Sequence, residues 1–452
     1  MSEPAGAPHP IPGTAVSDLV SFDGGVRRRE ALMRPDRYRD LMSLPASQPR
    51  IVRGGGYSYV AAGFGGGGVV QDARAFNRIV AFDESTGVLE CEGATTLGKV
   101  FTVAAPRGWY LPVQPGYPDI TIGGCIATDA HGKNQLKDGT FRQVVTSLDL
   151  YHPRHGVLRL DGQTNGRLLE LTCGGLGLTG HMLRARLQLA RIPEGRVRIA
   201  RHRIARFEDT LATLEAHAAR ADLIYTWHDF TVRGGGFGRG FAHAGRFVPG
   251  TADPRPGRAH SVDARTRARY GVQLLNGATT PAFNRAYELW QSLQPAERDT
   301  SLFDALFPVA RKVIYFELFG RTGFHEYQLL APHDRFPALA RSLREYLDHH
   351  RTPVTLASCK LFAGSQRYLR FQGPGLCLAL DFPRGDAGTR FAAFLDGLVR
   401  DLGARPNVSK DSRLPREIVA ACYPEYGAFR DALRAFDPDR LYRSEVSERL
   451  GL

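Results

Sequence analysis

The sequence predicts an α+β protein with two domains, and three observations lead to this prediction. Between about residues 50 and 190, short apolar runs of strand length are separated by glycine-rich turns. From about residue 320 to residue 402, segments typical of strands and helices follow in the order β-α-β-β-α, which suits a sheet backed by helices. The length of 452 residues exceeds what one ordinary hydrophobic core supports.

The first half of the chain is predicted to begin with helices and to continue with short strands. Residues 19–48 are expected to be rich in helix, over the Arg-Arg-Arg-Glu-Ala-Leu-Met run at 27–33 and again at 38–42. Residues 97–107 have apolar side chains at helical spacing, and Gly108 is placed to end that helix. Apolar patterns predict strands at 68–71, 79–82, 88–91, 145–151 and 182–189.

The second half alternates between predicted helices and strands. Helices are expected at 207–219, 336–349 and 387–402, and again after Pro415 through the segment 436–442. Strands are expected at 223–227, 327–330, 354–362 and 376–382. The glycine-rich run 234–240 is expected to be a mobile surface loop, because it lies far from the other glycine turns. The arginine-rich segment 254–269 opens with two prolines and is expected to be irregular.

Composition and charge restrict the class of protein. A hydrophobic content of 43% and a charged content of 23% are typical of a soluble globular protein. No apolar run approaches the ~20 residues that span a bilayer, and residues 1–14 lack the basic and apolar regions of a secretory signal. The net charge of +13 comes mainly from arginines spread along the chain. Such a diffuse charge suits an anionic substrate, an anionic membrane surface or an arginine-rich proteome, and we expect no nucleic-acid partner.

The six cysteines predict neither a disulfide framework nor a metal site. They lie at positions 91, 125, 173, 359, 377 and 422, and no two form a Cys-x-x-Cys pair. Scattered single cysteines are typical of free thiols in a reducing compartment.

Three glycine-rich turns carry the functional signal. The first covers 53–59 and follows a short apolar run, the second extends from 115 to 134, and the third covers 174–180. Glycine adopts positive φ angles and lets main-chain N–H groups approach an anion without a Cβ in the way. Each turn alone is equally compatible with an ordinary tight turn. Together they predict a backbone that wraps a long, phosphate-bearing cofactor.

Several short motifs resemble the flavin oxidoreductases of the vanillyl-alcohol-oxidase type, which have the PCMH-type FAD fold. The resemblance covers nearly the whole chain and is weakest at about 195–320. It implies a PCMH-type FAD-binding domain and a second α+β substrate (cap) domain with an antiparallel sheet. The motifs are Gly-Gly-Cys-Ile-Ala-Thr-Asp-Ala-His-Gly-Lys-Asn at 123–134, the turn 174–180, Lys-Leu-Phe at 360–362, Asp-Phe-Pro at 381–383 and Lys-Asp-Ser-Arg at 410–413.

The resemblance also implies a division of the chain. Residues 1–18 are expected to be a flexible N-terminal segment, and residues 19–195 to form the FAD-binding domain. Residues 196–405 are expected to form the substrate domain, and residues 406–452 to return to the FAD-binding domain.

The three turns supply the predicted contacts to FAD. The first turn is expected at the pyrophosphate, the second under the ribityl chain and the isoalloxazine edge, and the third over the ring or the adenine side. The predicted cofactor-binding residues are Arg53, Gly54, Gly55, Gly56, Tyr57, Ser58, Tyr59, Gly116, Thr121, Gly123, Gly124, Thr128, His131, Gly132, Asn134, Gly175, Gly177, Leu178 and Thr179.

We expect FAD to be bound without a covalent bond. In many relatives the position of Tyr57 holds a histidine that is bonded to the flavin 8α-methyl group, and tyrosine is not expected to form that linkage. The family's second linkage site, a cysteine late in the second turn, has no clear counterpart. Cys125 lies too early in the turn and is expected to pack in the core.

The resemblance implies oxidation of a secondary alcohol with hydride passing to flavin N5. His131 is expected at the hydroxyl, because imidazole titrates near neutrality; a histidine that only orders the turn is the alternative. Lys410 is expected to place positive charge near the flavin N1–C2=O locus or the substrate oxygen. Lys360 lies in an apolar strand and is expected to point into a cleft or reach a partner, since unpaired burial is costly. Gln328 is expected to hydrogen-bond a sugar hydroxyl or to face outward.

Two positions on the substrate side depart from the family pattern. The family has a cysteine two residues before the Asp-Phe-Pro motif, the target of covalent inhibitors, and this chain has Ala379 there. Cys377 lies two residues earlier, on the same strand face. The family's tyrosine three residues before the lysine of Lys-Asp-Ser-Arg is Asn407 here. These changes leave the FAD prediction intact and leave the exact substrate open.

The His-Gly-Lys-Asn run at 131–134 resembles the branch of this family that acts on polyprenylphosphoryl ribose. That resemblance implies oxidation at C2' as half of an epimerisation, completed by a separate nicotinamide-dependent ketoreductase. The expected substrate is a lipid-linked or phosphorylated pentose, met by a cytoplasmic protein in peripheral contact with the membrane, with 234–240 and 254–269 as lids. An alditol or aldonolactone oxidase, and a non-catalytic basic protein that binds membranes or nucleic acid, remain alternatives.

Overall fold

Four β-sheets and the helices around them form the part of the chain that the structure describes. This computed structural model describes residues 13–250, 271–310 and 313–452. Within these ranges the sheets have four, five, two and eight strands. The first three sheets come from residues 14–191, and the eight-stranded sheet comes from residues 196–406. The architecture is α+β, as predicted.

The four-stranded sheet has the order β1-β2-β4-β3. Its strands are β1 (Thr14–Val20), β2 (Arg27–Met33), β3 (Arg50–Arg53) and β4 (Val69–Asp72). β1 and β2 are antiparallel, whereas β4 runs parallel to both β2 and β3. Residues 14–18, predicted to be flexible, therefore belong to a strand; residues 1–12 of that segment lie outside the described residues.

The prediction of helix over 27–33 is wrong, because this segment is β2. Glu30 to Met33 are four consecutive buried residues, and β2 lies between β1 and β4. A helix would expose part of such a run, whereas a strand between two neighbours buries both of its faces. Tertiary pairing therefore overrides the local helix propensity of the sequence.

The five-stranded sheet is antiparallel, with the order β5-β6-β10-β8-β9. The strands predicted at 79–82, 88–91, 145–151 and 182–189 all lie in it. Its strands are β5 (Ile79–Asp83), β6 (Val88–Glu92), β8 (Val145–His152), β9 (Gly156–Asp161) and β10 (His181–Gln188), and the short strands β7 (Trp109–Tyr110) and β11 (Ala190–Arg191) pair beside it.

Short helices connect these strands and present the glycine turns. The predicted helix at 97–107 is α2, which Thr96 caps through its side chain and which continues as a 3₁₀ turn until Gly108 at φ 75°. The helices of this half are α1 (Tyr38–Leu41), α2 (Leu97–Ala104), α3 (Ile122–Thr128), α4 (Gln135–Asp138) and α5 (Gly166–Thr172).

The eight-stranded sheet is antiparallel throughout, with the order β15-β12-β14-β13-β17-β18-β16-β19. The strands predicted at 223–227, 327–330, 354–362 and 376–382 lie at its centre. Its strands are β12 (Arg196–Ile204), β13 (Leu223–His228), β14 (Gly240–Val248), β15 (Glu297–Ser301), β16 (Phe324–Ala331), β17 (Leu356–Phe362), β18 (Gly375–Pro383) and β19 (Arg405–Pro406).

Two long amphipathic helices cover one face of this sheet. The predicted helices at 336–349 and 387–402 are α10 and α11, and their buried leucines belong to the same hydrophobic core as β16 to β18. The helices of this half are α6 (Thr210–Ala218), α7 (Thr279–Leu293), α8 (Leu302–Leu306), α9 (Val313–Glu317), α10 (Phe336–His349), α11 (Asp386–Asp401), α12 (Arg416–Cys422), α13 (Tyr426–Phe436) and α14 (Glu445–Leu450).

The C-terminal residues return to the first sheet. The Arg50 N–H donates to the Leu441 carbonyl, and the Arg443 N–H donates to the Arg50 carbonyl. The helix predicted through 436–442 ends at Phe436, since Pro438 cannot continue it. The exact domain boundaries at 195/196 and 405/406 stay a prediction.

Residues 234–240 lie on the surface at Gly234 and Gly235 and are buried at Phe237 and Gly238, away from the site cavity, so the prediction of a lid over the site is wrong for this segment. Phe237 is 1% exposed and packs against Phe207 and Phe230. Gly238 has φ +64°, and a Cβ there would lie 2.6 Å from the Phe207 Cβ. The segment lines no part of the site cavity described below. The other predicted lid, residues 254–269, lies outside the described residues.

The prediction of free thiols is confirmed, because all six cysteines are free and five of them are buried. Within the described ranges, no cluster of three His, Cys, Asp or Glu side chains forms a metal site. None of the helices in these ranges is long and apolar enough to cross a bilayer.

Candidate active site

A cavity of about 470 Å³ lies where the glycine turns meet the eight-stranded sheet. The turns supply main-chain groups to one side of it. Alternate residues of β16 and β17, together with the segment 407–410, supply polar side chains to the other side. Because side chains alternate across a strand, this spacing places one face of the sheet toward the cavity. The sheet residues are Tyr225, Thr226, Trp227, Glu326, Gln328, Leu356, Ser358, Lys360 and Ala379.

The first glycine turn is interlocked with the second, and all of its residues from Arg53 to Tyr59 line the cavity. A Cβ on Gly54 would lie 2.5 Å from Thr121 Oγ1, and one on Gly55 would lie 2.8 Å from the Asp119 carbonyl oxygen. Gly56 has φ +78°, which favours glycine. Gly54 and Gly55 therefore leave no room for a Cβ against the second turn, and Gly56 is favoured by its positive φ, which explains the three consecutive glycines.

The second turn enters and leaves α3 beside the cavity. Thr121 caps α3, with its side chain accepting from the Gly124 N–H at 3.2 Å. Asp129 ends α3 with φ 44°, which turns the chain so that His131 faces the cavity. The predicted cofactor residues Gly116, Thr121, Gly123, Gly124, Thr128, His131 and Gly132 all line the cavity.

Asn134 does not line the cavity and instead orders the second turn. Its side-chain nitrogen donates to the Pro112 carbonyl at 2.7 Å and to Asp138 at 2.6 Å. A Cβ on Gly132 would lie 2.6 Å from Asn134 Oδ1, so the asparagine also lies against the turn that carries His131.

Of the four residues predicted to bind the cofactor from the third turn, only Gly177 lines the cavity. Leu176, Gly177 and Gly180 line it, whereas Gly175, Leu178 and Thr179 do not. Gly175 lies against α5, where a Cβ would be 2.3 Å from the Leu171 carbonyl oxygen. Leu178 is part of the hydrophobic core, and Thr179 is buried. Gly177 has φ +80°, and a Cβ there would meet only Ile51, at 3.9 Å.

A chain of polar side chains connects three of the four predicted catalytic residues. Lys410 Nζ lies 2.9 Å from Glu326 Oε1, and the Gln328 amide donates to the same carboxylate at 2.5 Å. The other end of Gln328 accepts from Asn407 at 2.9 Å and lies 3.4 Å from His131 Nε2. His131, Lys410 and Gln328, which are far apart in sequence, are thus brought into one network.

Two cations shape the electrostatics of this network. Lys410 also lies over the Tyr59 ring, 3.9 Å from its centroid. Burial lowers the pKa of Lys360, and the nearby Lys410 lowers it further. Lys360 therefore loses its proton more readily than an exposed lysine, unless an anion binds beside it.

His131 is held in its neutral form. Burial, with added repulsion from Lys360 and Lys410, lowers its pKa from 6.5 to about 3. Its ring packs edge-on against Phe362, with centroids 4.8 Å apart. A neutral imidazole can accept a proton, and its orientation is fixed by these contacts.

The sequence analysis missed Glu326 as a site residue, although a signal was present. Glu326 lies two residues before Gln328 in a strand, so both point to the same face. Directly opposite in register is Asp381 of β18. Burial and the Glu326 charge raise the pKa of Asp381 well above its usual range, and Tyr315 donates to its carboxyl group at 3.0 Å.

Neither Cys125 nor Cys377 lines the active-site cavity. Cys125 is fully buried in the core, which confirms its predicted packing role. Cys377 is buried among Leu330, Phe362 and Phe371, and burial raises the pKa of its thiol to about 12. Ala379, in contrast, lines the cavity and has no nucleophile.

The glycine-lined side of the cavity fits FAD. A Cβ on Gly124 would meet only Thr121 Oγ1 at 3.1 Å, and Gly177 is similarly open, so side chains at these positions would enter the cavity. A long cofactor can therefore lie against bare peptide groups, whose N–H dipoles suit phosphate oxygens. The residues positioned to hold it are 53–59 of the first turn, the cavity-lining residues of the second turn (Gly116, Thr121, Gly123, Gly124 and 127–132), and Gly177.

Comparison with known proteins gives a match at this part of the fold. Residues 43–161 match the family model described as "FAD binding domain". Over 413 residues the chain is 29% identical to decaprenylphosphoryl-beta-D-ribose oxidase of Mycolicibacterium smegmatis, covering 89% of each protein. The chain is an FAD-dependent oxidoreductase with a PCMH-type fold. It acts on CH–OH groups.

Other relatives match this oxidoreductase over different shares of its length. An uncharacterized protein in the mprA 5'region of Streptomyces coelicolor is 29% identical over 375 residues, which are 79% of this chain and all of that protein. D-lactate dehydrogenase of Archaeoglobus fulgidus is 30% identical over 154 residues, only 32% of this chain and 33% of that enzyme.

Proposed function

We propose that the enzyme oxidises the C2' hydroxyl of a polyprenylphosphoryl ribose to the 2'-keto sugar. The observation that carries this proposal is the gathering of His131, Gln328, Lys360 and Lys410 at one end of the FAD cavity. The similarity to decaprenylphosphoryl-beta-D-ribose oxidase over 89% of both chains supports the ribose part of the proposal.

Lys360 and Lys410 suit a substrate that carries phosphate. Glu326 offsets the charge of Lys410, which leaves Lys360, partly buried at the cavity wall, as the lysine that gains most from a bound anion. A phosphate oxygen beside Lys360 would favour its charged form and bind as a charge-assisted hydrogen-bond acceptor. A free polyol offers no such charge.

FAD, when bound, accepts the hydride from the alcohol carbon. The neutral His131 is the proposed acceptor of the hydroxyl proton, since its Nε2 faces the cavity at a long 3.4 Å contact with Gln328. Such contacts commonly tighten when substrate binds. Gln328 is the proposed partner of a second sugar hydroxyl, held in place by Asn407 and Glu326. Lys410 is proposed to stabilise negative charge that develops in the transition state.

The proposed product is a ketone, and reduction from the opposite face would invert the carbon. A separate nicotinamide-dependent ketoreductase would therefore complete an epimerisation. A lipid-linked substrate also implies peripheral contact with the cytoplasmic face of a membrane. We propose further that FAD is bound without a covalent bond.

Anaerobic reduction of the flavin tests the substrate. The purified enzyme would be mixed with farnesylphosphoryl ribose, with a farnesyl ribofuranoside that lacks phosphate, and with ribose, xylitol and an aldonolactone. We expect the phosphorylated lipid to bleach the flavin fastest. Faster bleaching by xylitol or the lactone would instead support an alditol or lactone oxidase. A protein that purifies without flavin absorbance would contradict an enzymatic role.

A further inference from the structure

Helix α7 (Thr279–Leu293) has its polarity inverted. Its buried positions are polar: Thr280, Asn284, Glu288 and Gln291. Its exposed positions include large apolar side chains, with Leu293 at 84% and Phe283 at 49% exposure. A helix on the surface of a globular protein normally shows the reverse pattern. The exposed apolar residues of α7 are Ala282, Phe283, Ala286, Leu289, Trp290 and Leu293.

These six residues form one continuous face. At 3.6 residues per turn they fall within an arc of roughly 120°, and the buried polar residues lie on the opposite side. Val272 and Leu274, which precede the helix in the chain, are also exposed.

The charges of α7 favour an anionic partner for this face. The helix has two charged residues, Arg285 and Glu288. Glu288 is buried and paired with Arg239 and Arg285, whereas Arg285 is exposed. The exposed side of the helix therefore presents an arginine and no carboxylate, in a chain with a net charge of +13.

The same helix contributes a wall residue to the active-site cavity. Tyr287 lines the cavity and packs against Trp227, another lining residue, with ring centroids 4.7 Å apart. On its other side Tyr287 contacts Trp290 of the exposed face, at 5.7 Å between centroids. One helix thus connects the apolar surface to the site.

We infer that the exposed face of α7 is a docking surface for an anionic lipid bilayer, which presents the prenyl tail of the substrate beside Tyr287. This inference rests on the proposed lipid-linked substrate. Apolar residues with an aromatic ring and a flanking arginine are what an interfacial helix places in the headgroup region.

Two other occupants fit the face less well. Residues 251–270 lie outside the described residues, and by sequence their apolar side chains larger than alanine are Pro254, Pro256, Val262 and Tyr270, among five arginines. These four side chains offer little apolar area to cover six exposed positions. A second copy of the chain would bring together two surfaces that both present Arg285, which is unfavourable for self-association.

Trp290 provides a direct probe of the docked state. Of the three tryptophans, Trp109 and Trp227 are 6% and 7% exposed, whereas Trp290 is 47% exposed. The FAD-loaded enzyme would be mixed with vesicles of phosphatidylcholine alone or with one quarter phosphatidylglycerol, with and without brominated acyl chains. We expect bromine quenching of fluorescence and cosedimentation with the anionic vesicles, both weakened by salt.

The matched variants distinguish binding through the exposed face of α7 from non-specific adsorption of the protein to vesicles. Phe283→Gln with Leu293→Gln is expected to weaken vesicle partitioning about tenfold or more, because each side chain gains from leaving water. Val157→Gln, at a 55% exposed valine of β9, is the control and should partition as the wild type does. FAD content of each variant checks the fold, and quenching of Trp290 in the wild type stands independently of the variants.

Three outcomes would overturn the inference. These are no binding to anionic vesicles, equal binding by the double variant, or a dimer in sedimentation velocity that the double variant converts to a monomer. Vesicle binding needs no turnover, so it is separable from the proposed function. If farnesylphosphoryl ribose fails to bleach the flavin while docking persists, the substrate is wrong and the docking surface remains.

Discussion

Lys410 is the residue whose replacement tests the proposed chemistry most directly. Its ammonium lies 2.9 Å from Glu326, and the two side chains are 23% and 9% exposed. Replacing it by methionine keeps most of the side-chain volume and removes the charge. The variant therefore loses a group aimed at the reacting end of the cavity and also leaves the Glu326 carboxylate without its ion pair.

The two effects have different expected magnitudes. Loss of one preorganised electrostatic group in an active site typically lowers kcat about 10²–10³-fold, or about 3–4 kcal/mol. Stranding a buried carboxylate typically destabilises a protein by about 3–5 kcal/mol. Here Lys410 is partly exposed, so water screens the pair, and we expect about 1–3 kcal/mol.

A second substitution separates catalysis from stability. Glu326→Gln combined with Lys410→Met removes both charges and keeps the hydrogen-bonding shape beside Gln328. We expect the double variant to recover unfolding stability to within about 1 kcal/mol of wild type, because no unpaired charge remains. Its rate of flavin reduction should stay about 10²-fold low.

The assay combines thermal unfolding followed by flavin fluorescence with anaerobic stopped-flow reduction at 450 nm, using the substrate that bleaches fastest in the panel. FAD content is measured first, so that loss of cofactor is not mistaken for loss of chemistry. If the double variant reduces its flavin within a few-fold of wild type, Lys410 serves only to neutralise Glu326, and the catalytic role proposed for it is wrong.

Three further predictions use other parts of the structure. With Tyr57 in the first turn, acid precipitation should release all flavin into the supernatant, and a yellow pellet would show a covalent bond. Because Cys377 is buried with its pKa raised to about 12, a nitroaromatic inhibitor should form no stable adduct by intact-mass spectrometry, whereas Ala379→Cys should gain one. Burial lowers the pKa of His228 from 6.5 to about 4, so between these pH values only the unfolded state takes up its proton. Stability should therefore fall by up to about 3 kcal/mol from pH 6.5 to 4, and His228→Gln should flatten the dependence of Tm on pH, while exposed His155→Gln should not.

The strands and turns that the sequence predicted correctly are those with a strong local signal. Continuous or alternating apolar residues predicted β5, β6, β8 and β10, and amphipathic spacing predicted α10 and α11. The first glycine turn was found for a similar reason. A Cβ on Gly54 or Gly55 would lie 2.5 or 2.8 Å from an oxygen atom of the second turn, and Gly56 has a positive φ, so three glycines in a row are required there.

The predictions that failed depended on distant neighbours. Residues 27–33 have a helical composition, yet they form β2 because β1 and β4 pair with them. Residues 234–240 contain enough glycine for a lid, yet Phe237 packs against Phe207 and Phe230, away from the site cavity. In each case the deciding contact comes from a chain segment that local pattern does not reveal.

The sequence by itself determined that this chain wraps a long, phosphate-bearing cofactor, because glycine turns and their order are read directly along the chain, and the resemblance of its short motifs to a known family implied that the cofactor is FAD. Only the tertiary structure decided which charged side chains form ion pairs in the site. Glu326 and Lys410 are far apart in sequence, and an ion pair between them follows from the packing of β16 against the C-terminal segment. The tertiary structure also decided the orientation of α7. Its sequence has one polar and one apolar face and does not show which of the two is buried. Which face meets water is set by the partners that bury its polar side, and these are contacts between elements, not properties of the helix.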